Sequence, residues 1–274
     1  MKRLALAAFA LMGTQMALAD EYGTWLDLAA QKNFNKKLSL SASADLRGGN
    51  KNKDLMRASV GVGLDFKPSK WLALGTGYSF IADNNLTEAK EKIDEETSNL
   101  KGYNVDDAYW RNKHRFTADV TGNLTLGRFT LSLRERYQYT KFVATSTTRT
   151  EYRTLIANPD NFADDKYMYN GQYFASKKEK VNDKRAKDRH YLRSRVGVEY
   201  NIHHCAWTPY ATYELSNDLG YDLHLDKQRL TVGTEWKVAK QHRLDFAYVF
   251  THGEDDDNDG NNSHVLSIGY KFKF

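Results

Sequence analysis

The stretch Leu266-Ser267-Ile268-Gly269-Tyr270-Lys271-Phe272-Lys273-Phe274 decides the fold. Leu266, Ile268, Tyr270, Phe272 and Phe274 are apolar, and Ser267, Gly269, Lys271 and Lys273 between them are small or charged. Successive side chains of a strand point to opposite faces, so this period of two gives one greasy face and one wet face. The stretch stops on an aromatic residue with no polar tail behind it.

Such an ending is similar to the closing strand of bacterial outer-membrane β-barrels, whose terminal aromatic is read by the barrel-assembly machinery. The similarity implies that Tyr270, Phe272 and Phe274 carry the assembly signal. It also implies that the greasy face meets lipid and the wet face a lumen, the inverse of a soluble protein. The amino terminus points to the same destination. Lys2 and Arg3 form a basic region, Leu4 to Leu18 is largely apolar, and Ala17-Leu18-Ala19 offers a small-x-small cleavage pattern. These features predict a cleaved signal peptide over 1–19 and a single outer-membrane β-barrel domain over 20–274. The alternative for the first stretch is a buried amino-terminal helix. No cysteine follows the cleavage pattern, which argues against a lipoprotein anchor. The expected location is the outer membrane of a Gram-negative cell, after export to the periplasm.

No later segment reaches the ~18 consecutive apolar residues of a membrane helix. Low mean hydropathy does not exclude a barrel, because only alternate residues of its strands face lipid. A mature chain of about 255 residues suits one barrel. Three prolines and 17 tyrosines fit strands with aromatic belts. Without Lys2 and Arg3 the formal charge falls from +5 to +3, too little to announce a nucleic-acid binder. The single cysteine, Cys205, cannot form an intrachain disulfide and reads as a small turn residue.

Alternating segments recur along the chain, mostly as pairs with tight connections. Trp25–Asn33 and Lys37–Arg47 flank Phe34-Asn35-Lys36, and Leu55–Lys67 and Trp71–Ile81 flank Pro68-Ser69-Lys70. Trp110–Leu124 and Arg128–Lys141 turn near Thr125-Leu126-Gly127, and Tyr191–Asn201 and Trp207–Ser216 turn at His203-His204-Cys205. Leu225–Val238 and Gln241–His252 turn at Ala239-Lys240, and Ser263–Phe274 closes the set. Longer polar connections, Gly48–Asp54, Ala82–Tyr109, Phe142–His190, Asn217–His224 and Gly253–Asn262, lie between the pairs. Strict alternation of short and long connections is the pattern of periplasmic turns and extracellular loops. The expected fold is all-β, a transmembrane antiparallel β-barrel of 10 to 12 strands. Eleven strands are legible, whereas single-chain bacterial barrels carry an even number. Three arrangements resolve this: a first segment partly inside the lumen, a twelfth strand within Phe142–His190 such as Tyr167–Lys177, or a parallel closure between first and last strands.

The strand faces separate by chemistry. Met56, Ala58, Val60, Val62, Leu64 and Phe66 form one apolar face; Phe129, Leu131, Leu133, Tyr137 and Tyr139 another; Leu244, Phe246, Tyr248 and Phe250 a third. These are assigned to lipid, with Trp71, Trp110, Trp207 and Trp236 near the interfaces. Glu135 falls on the lipid side of its strand, where a carboxylate is costly, and a bulge is expected to re-aim it. The opposite faces carry the lumen-lining basic candidates Arg57, Arg111, Lys113, Arg115, Arg134, Arg136, Arg193, Arg195, Arg229 and Arg243, with Arg47. Asp27, Asp45, Asp65, Asp119, Glu199, Glu214, Glu235 and Asp245 share those faces. One reading is an anion-favouring lining, since rings of Arg and Lys select anions. The other is an internal salt-bridge network that fills a narrow barrel, as eight-stranded barrels are filled while those of sixteen or more hold channels.

Asp255, Asp257, Asp259 and Gly260 match positions one, three, five and six of a calcium loop. The bidentate Glu required at position twelve falls on Leu266, so an EF-hand is rejected. The weak calcium candidate Asp255, Asp257 and Asp259 stands against a solvated acidic loop. Ala82–Tyr109, with eight acidic and three basic residues, reads as a hydrated external loop. Lys177–Arg189, with seven basic and three acidic residues, is suited to anionic lipopolysaccharide. His203-His204-Cys205 has no fourth ligand at useful spacing for zinc. A hydrolase needs a nucleophile held by a base and an orienting acid. His242, His252 and His264 near strand ends fall in no such motif, so no catalytic residue and no cofactor is assigned.

Several motifs resemble those of the domain-of-unknown-function 2490 family of outer-membrane barrels. They are Gly23-Thr24-Trp25, Lys32-Asn33-Phe34-Asn35-Lys36-Lys37-Leu38-Ser39-Leu40 and Trp71-Leu72-Ala73-Leu74-Gly75-Thr76-Gly77-Tyr78. Lys113-His114-Arg115-Phe116, Leu192-Arg193-Ser194-Arg195, Pro209-Tyr210-Ala211 and Gly269-Tyr270-Lys271-Phe272 complete the set. The resemblance implies location and fold, and brings no site residues with it. Two functions are carried forward. The first is a narrow channel for small, anionic solutes through the Arg-lined lumen; the second is a closed barrel with a structural or surface role. An outer-membrane hydrolase stands behind both.

Overall fold

The computed structural model describes residues 22–49, 51–156, 166–253 and 263–274. The signal peptide over 1–19 and the calcium candidate Asp255, Asp257 and Asp259 lie outside the described residues. Strand alternation along the chain yields sixteen strands and no helix among the described residues. In chain order they are β1 (Tyr22–Asn33), β2 (Leu38–Gly49), β3 (Asp54–Phe66), β4 (Leu72–Asn85), β5 (Glu88–Ile93), β6 (Leu100–Asp106), β7 (Tyr109–Leu126) and β8 (Phe129–Phe142). β9 (Thr145–Leu155), β10 (Tyr167–Tyr169), β11 (Gln172–Lys184), β12 (Lys187–Tyr200), β13 (Trp207–Asp218), β14 (His224–Lys237), β15 (His242–Gly253) and β16 (Ser263–Lys273) follow. They form a closed barrel and a separate five-stranded sheet, and the described residues fall into two compact units accordingly. The second unit comprises residues 84–111 and 143–187.

The barrel runs β1-β2-β3-β4-β7-β8-β12-β13-β14-β15-β16 and closes β16 onto β1. These eleven strands coincide with the eleven legible in the sequence. Of the three ways to reconcile an odd count, the chain takes the parallel closure. The seam pairs Tyr22 with His264 through to Gln31 with Lys273. Phe274 extends it: its amide donates to the Gln31 carbonyl at 2.9 Å, and its carbonyl accepts from the Asn33 amide at 3.1 Å. An edge strand left open presents a row of unpaired backbone groups, and closure in either sense removes it. Parallel closure therefore leaves no open edge and frees the strand number from parity.

Alternation sets the two faces. On β3, Arg57, Ser59, Gly61, Gly63 and Asp65 point inward and Val60, Val62 and Leu64 outward, the first two of these 57% and 55% exposed. The same outward exposure recurs at Leu26, Leu28, Val120, Leu124, Leu131, Leu133, Val196, Leu230 and Ile268. The barrel is thus apolar outside and polar within. Trp207 and Trp236 stack outward with ring centroids 5.0 Å apart, and Trp71 and Trp110 are likewise exposed. Glu135 corrects the expectation of a bulge. The β7–β8 register runs without a shift, and the Glu135 carboxylate stays outward, where it accepts the Ser194 hydroxyl proton at 2.6 Å.

The two longest connections also differ from expectation. The sequence marks both as long polar connections, Ala82–Tyr109 as a hydrated external loop, yet they contain β5, β6, β9, β10 and β11, ordered β10-β11-β9-β6-β5 in one antiparallel sheet. Tyr167–Lys177 holds β10 and the start of β11, so it supplies no twelfth barrel strand. Apolar residues inside the polar connections explain the sheet. Tyr103, Val105 and Phe174 are buried together, packed by Leu100, Tyr152 and Tyr169. Asn170 and Gly171 turn the chain at positive φ of 48° and 74°, the conformation a two-residue hairpin needs. Below this cluster Asp106 accepts from Arg149 at 2.5 and 2.7 Å, from Lys184 at 2.7 Å and from Asn182. The Arg149 guanidinium holds the Asp106 carboxyl far below the usual carboxylate range, with Lys184 and Asn182 adding to it. In the β5–β6 turn, Lys101 and the amides of Glu96 and Thr97 lower Asp94 to about 2.

Candidate functional site

The barrel interior collects the charged residues, and their burial follows a gradient along the strands. At the ends joined by the long connections, Arg57, Asp83, Lys113, Arg134, Gln138, Arg193, Glu214, Lys227 and Thr251 are all buried. Toward the tight turns the inward residues are small or better exposed; Ser43, midway along β2, faces inward and is still exposed. Charges taken out of water need partners, because an uncompensated buried ion costs several kcal/mol. Two clusters meet that need.

The first lies on β3, β4 and β7. Arg57 donates Nε to Asp83 Oδ1 at 2.6 Å and Nη2 to Oδ2 at 2.8 Å, a bidentate fork. Lys113 Nζ pairs with Asp83 Oδ2 from the other side and lies 4.4 Å from the Phe142 ring centroid. The three side chains are 3%, 0% and 3% exposed for Arg57, Asp83 and Lys113.

The second centres on Glu214 of β13. Arg134 Nη2 donates to Glu214 Oε2 at 2.6 Å, and Arg193 Nη2 donates to Oε1. Arg193 Nη1 reaches Gln138 Oε1 at 2.7 Å, and Arg229 Nη1 stands 3.7 Å from Glu214 Oε1. Trp25 links this cluster to the seam, its ring 5.2 Å from the Arg229 guanidinium and 4.2 Å from that of Arg47. Beside it Arg136 bonds Asp119 at 3.3 Å. Arg195, two residues along β12 from Arg193 and on the same face, makes no hydrogen bond or ion pair among the described residues. Glu214 and Asp119 attract it, and Arg136 and Arg193 repel it.

The remaining basic candidates scatter. Arg115 donates Nε to Thr140 Oγ1 at 3.3 Å, and Arg243 pairs with Glu235 nearer the tight turns. Arg111 belongs to the second unit, where it donates to the carbonyls of Val143 at 3.1 Å and Arg185 at 2.6 Å. Among acidic companions, Asp27 accepts from Ser267 at 3.2 Å and Asp245 from Tyr210 at 2.9 Å. Sequence reasoning missed Asp83, Gln138, Lys227 and Trp25 as interior residues. Asp83 was absorbed into a connection, although it continues the inward alternation Gly75, Gly77, Ser79, Ile81. Of the other motifs, His203 and His204 meet edge to face at 3.8 Å and Cys205 is exposed. Among the described residues no group of three or more His, Cys, Asp or Glu is placed to hold a metal ion.

The family model described as "Protein of unknown function (DUF2490)" matches residues 22–262. No curated protein matches the chain. Among solved structures, a monoaromatic hydrocarbon channel, CymD, is similar at 10% identity, with a TM-score of 0.35, over 85% of this chain and 82% of that one. A likeness that distant carries no argument about what the barrel does.

Proposed function

The chain belongs to the DUF2490 family of proteins of unknown function, and we propose that it is an outer-membrane barrel with a narrow, closable passage for small anions. The membrane part rests on the outward belt of exposed Leu, Val, Ile and aromatic side chains around the barrel, which in water would be a large unprotected apolar surface. The single observation that carries the passage is the inward surplus of cations: the inward basic residues outnumber the inward carboxylates, and Arg195, Lys271 and Lys273 have no ion pair among the described residues, although Asp27, Asp65 and Asp245 have none either. The two buried clusters restrict the barrel at the ends joined by the long connections.

Conductance in planar bilayers tests this reading. Rare, small current steps with anion preference are expected, and neutralising Arg195 and Lys271 should weaken that preference. No current over many verified insertions would refute the passage. A second reading, a permanently closed barrel whose second unit does the work at the cell surface, is favoured by the burial of Arg57, Asp83, Lys113, Arg193 and Glu214. Solubility of the folded protein without detergent would refute both.

A further inference from the structure

We propose that the inward wall of Arg134, Arg193, Arg195 and Arg229 is a binding site for a tetrahedral oxyanion of the phosphate or sulfate type, its place held here by the chain's own Glu214 carboxylate. The inference deepens the anion-passage reading by naming a ligand class and a residence point within it.

The geometry around Glu214 is that of carboxylate recognition. Each carboxylate oxygen is served by a different guanidinium, Oε2 by Arg134 and Oε1 by Arg193, with Arg229 at 3.7 Å from Oε1. Arginine forks match carboxylate and phosphate oxygens alike, so a site shaped for one accepts the other. Charge favours the exchange. Three guanidiniums share one monovalent carboxylate, and Arg195 beside them has no ion pair of its own among the described residues. A divalent oxyanion brings that wall one more negative charge than a glutamate does.

Unspent donors point the same way. The Nε atoms of Arg134 and Arg136 are buried with no acceptor. Glu214 offers two oxygens in one plane, whereas a tetrahedral anion presents further acceptors out of it. On the turn side of the wall, the next inward residues on β8, β12 and β13 are Ser132, Gly197 and Thr212. These are small, and beyond them Tyr210, the following inward residue on β13, donates its hydroxyl to Asp245. For the anion to bind, the Glu214 side chain swings aside, which makes Glu214 the latch of its own site.

Calorimetric titration of inorganic phosphate and sulfate into the full-length barrel in detergent, with chloride at matched ionic strength as control, tests the proposal. Wild type should bind weakly. Glu214→Gln should bind phosphate at least about tenfold more tightly, the worth of one charge-assisted hydrogen bond gained. Adding Arg195→Gln to that variant should remove most of the gain. Should Glu214→Gln fail to fold, Arg195→Gln alone decides, because it breaks no ion pair: weaker phosphate binding than wild type supports the site, and unchanged binding overturns it. A folded Glu214→Gln that binds phosphate no better than wild type also overturns it. Phosphate binding without any bilayer current supports the site and counts only against passage; current without phosphate binding sinks the site and leaves passage standing.

Discussion

Asp83→Ala probes the fold where the sequence is least forgiving. Asp83 pairs with both Arg57 and Lys113, and all three side chains are at most 3% exposed. Removing it deletes the carboxylate that both cations pair with. Each attraction lost is about 4 kcal/mol at about 4 Å and an effective dielectric of 20, offset by the desolvation that Asp83 no longer bears. The net cost of deleting one partner of a buried pair is about 3–5 kcal/mol in measured cases. The variant should therefore lose about 3–5 kcal/mol in reversible urea unfolding of the barrel from lipid vesicles. Asp83→Asn, which keeps the volume and one acceptor, should lose less. The triple change Arg57→Met, Asp83→Leu, Lys113→Met should recover most of the loss, since apolar replacement of a whole buried network is often neutral. A loss below about 1 kcal/mol for Asp83→Ala would show that water or other groups compensate the two cations, and would refute the buried-triad account.

Other perturbations separate the remaining claims. Val62→Arg, midway along the outward face of β3, should cost about 2–4 kcal/mol in vesicle folding if that face meets lipid; no loss would contradict the lipid assignment. Phe274→Ser should lower the amount of assembled barrel in cells while leaving refolding of purified protein in detergent nearly unchanged, as judged by heat-modifiable gel mobility. The Asp106 network predicts a pH response in the second unit. Because the folded Asp106 carboxyl titrates below its ordinary value of 3.8, its contribution is complete above that value and is lost as pH falls through the folded one. Amide exchange in β6 and β9 should thus be flat from neutral pH to about pH 5 once corrected for intrinsic rates, and rise below about pH 4. Asp106→Asn should raise exchange at neutral pH and reduce the acid-dependent part to what the lowered carboxyls of Asp94 and Glu151 contribute.

The barrel was legible because its signal is local. Each of the eleven strands declares itself through its own alternation, and each tight turn through its own residues. The seam was legible only as one of three options. Whether β16 meets β1 in parallel depends on closing the ring, and nothing within either strand encodes the direction of its partner. The second unit was misread for another reason. Its polar, charged connections look like solvated segments by composition, while Tyr103, Val105 and Phe174 form a core only after β6, β9 and β11 meet. The Asn170-Gly171 dipeptide was the available local clue, as that pair marks a two-residue hairpin turn.

The interior shows the same division more sharply. Period-two alternation puts Arg57, Lys113, Arg134, Arg193, Arg229 and Glu214 on the polar faces of their strands, yet alternation says nothing about pairing. Arg134 finds Glu214 80 residues away on a strand that is not its neighbour, and Arg57 finds Asp83 26 residues on. Asp83 is the direct cross-strand partner of Arg57 on the neighbouring strand, whereas Arg134 reaches past β12 to β13, which only the stagger of the closed ring sets. A basic stripe read strand by strand therefore overstates the field that a solute would meet, because its charges are already partly spent on carboxylates of nearby strands. What remains effective is the balance of the inward charges outside these pairs, the cations Arg195, Lys271 and Lys273 against the carboxylates Asp27, Asp65 and Asp245. Selectivity of this barrel should accordingly respond more to these unspent residues than to the buried, paired Arg57 or Arg193, whose replacement should register first as lost stability.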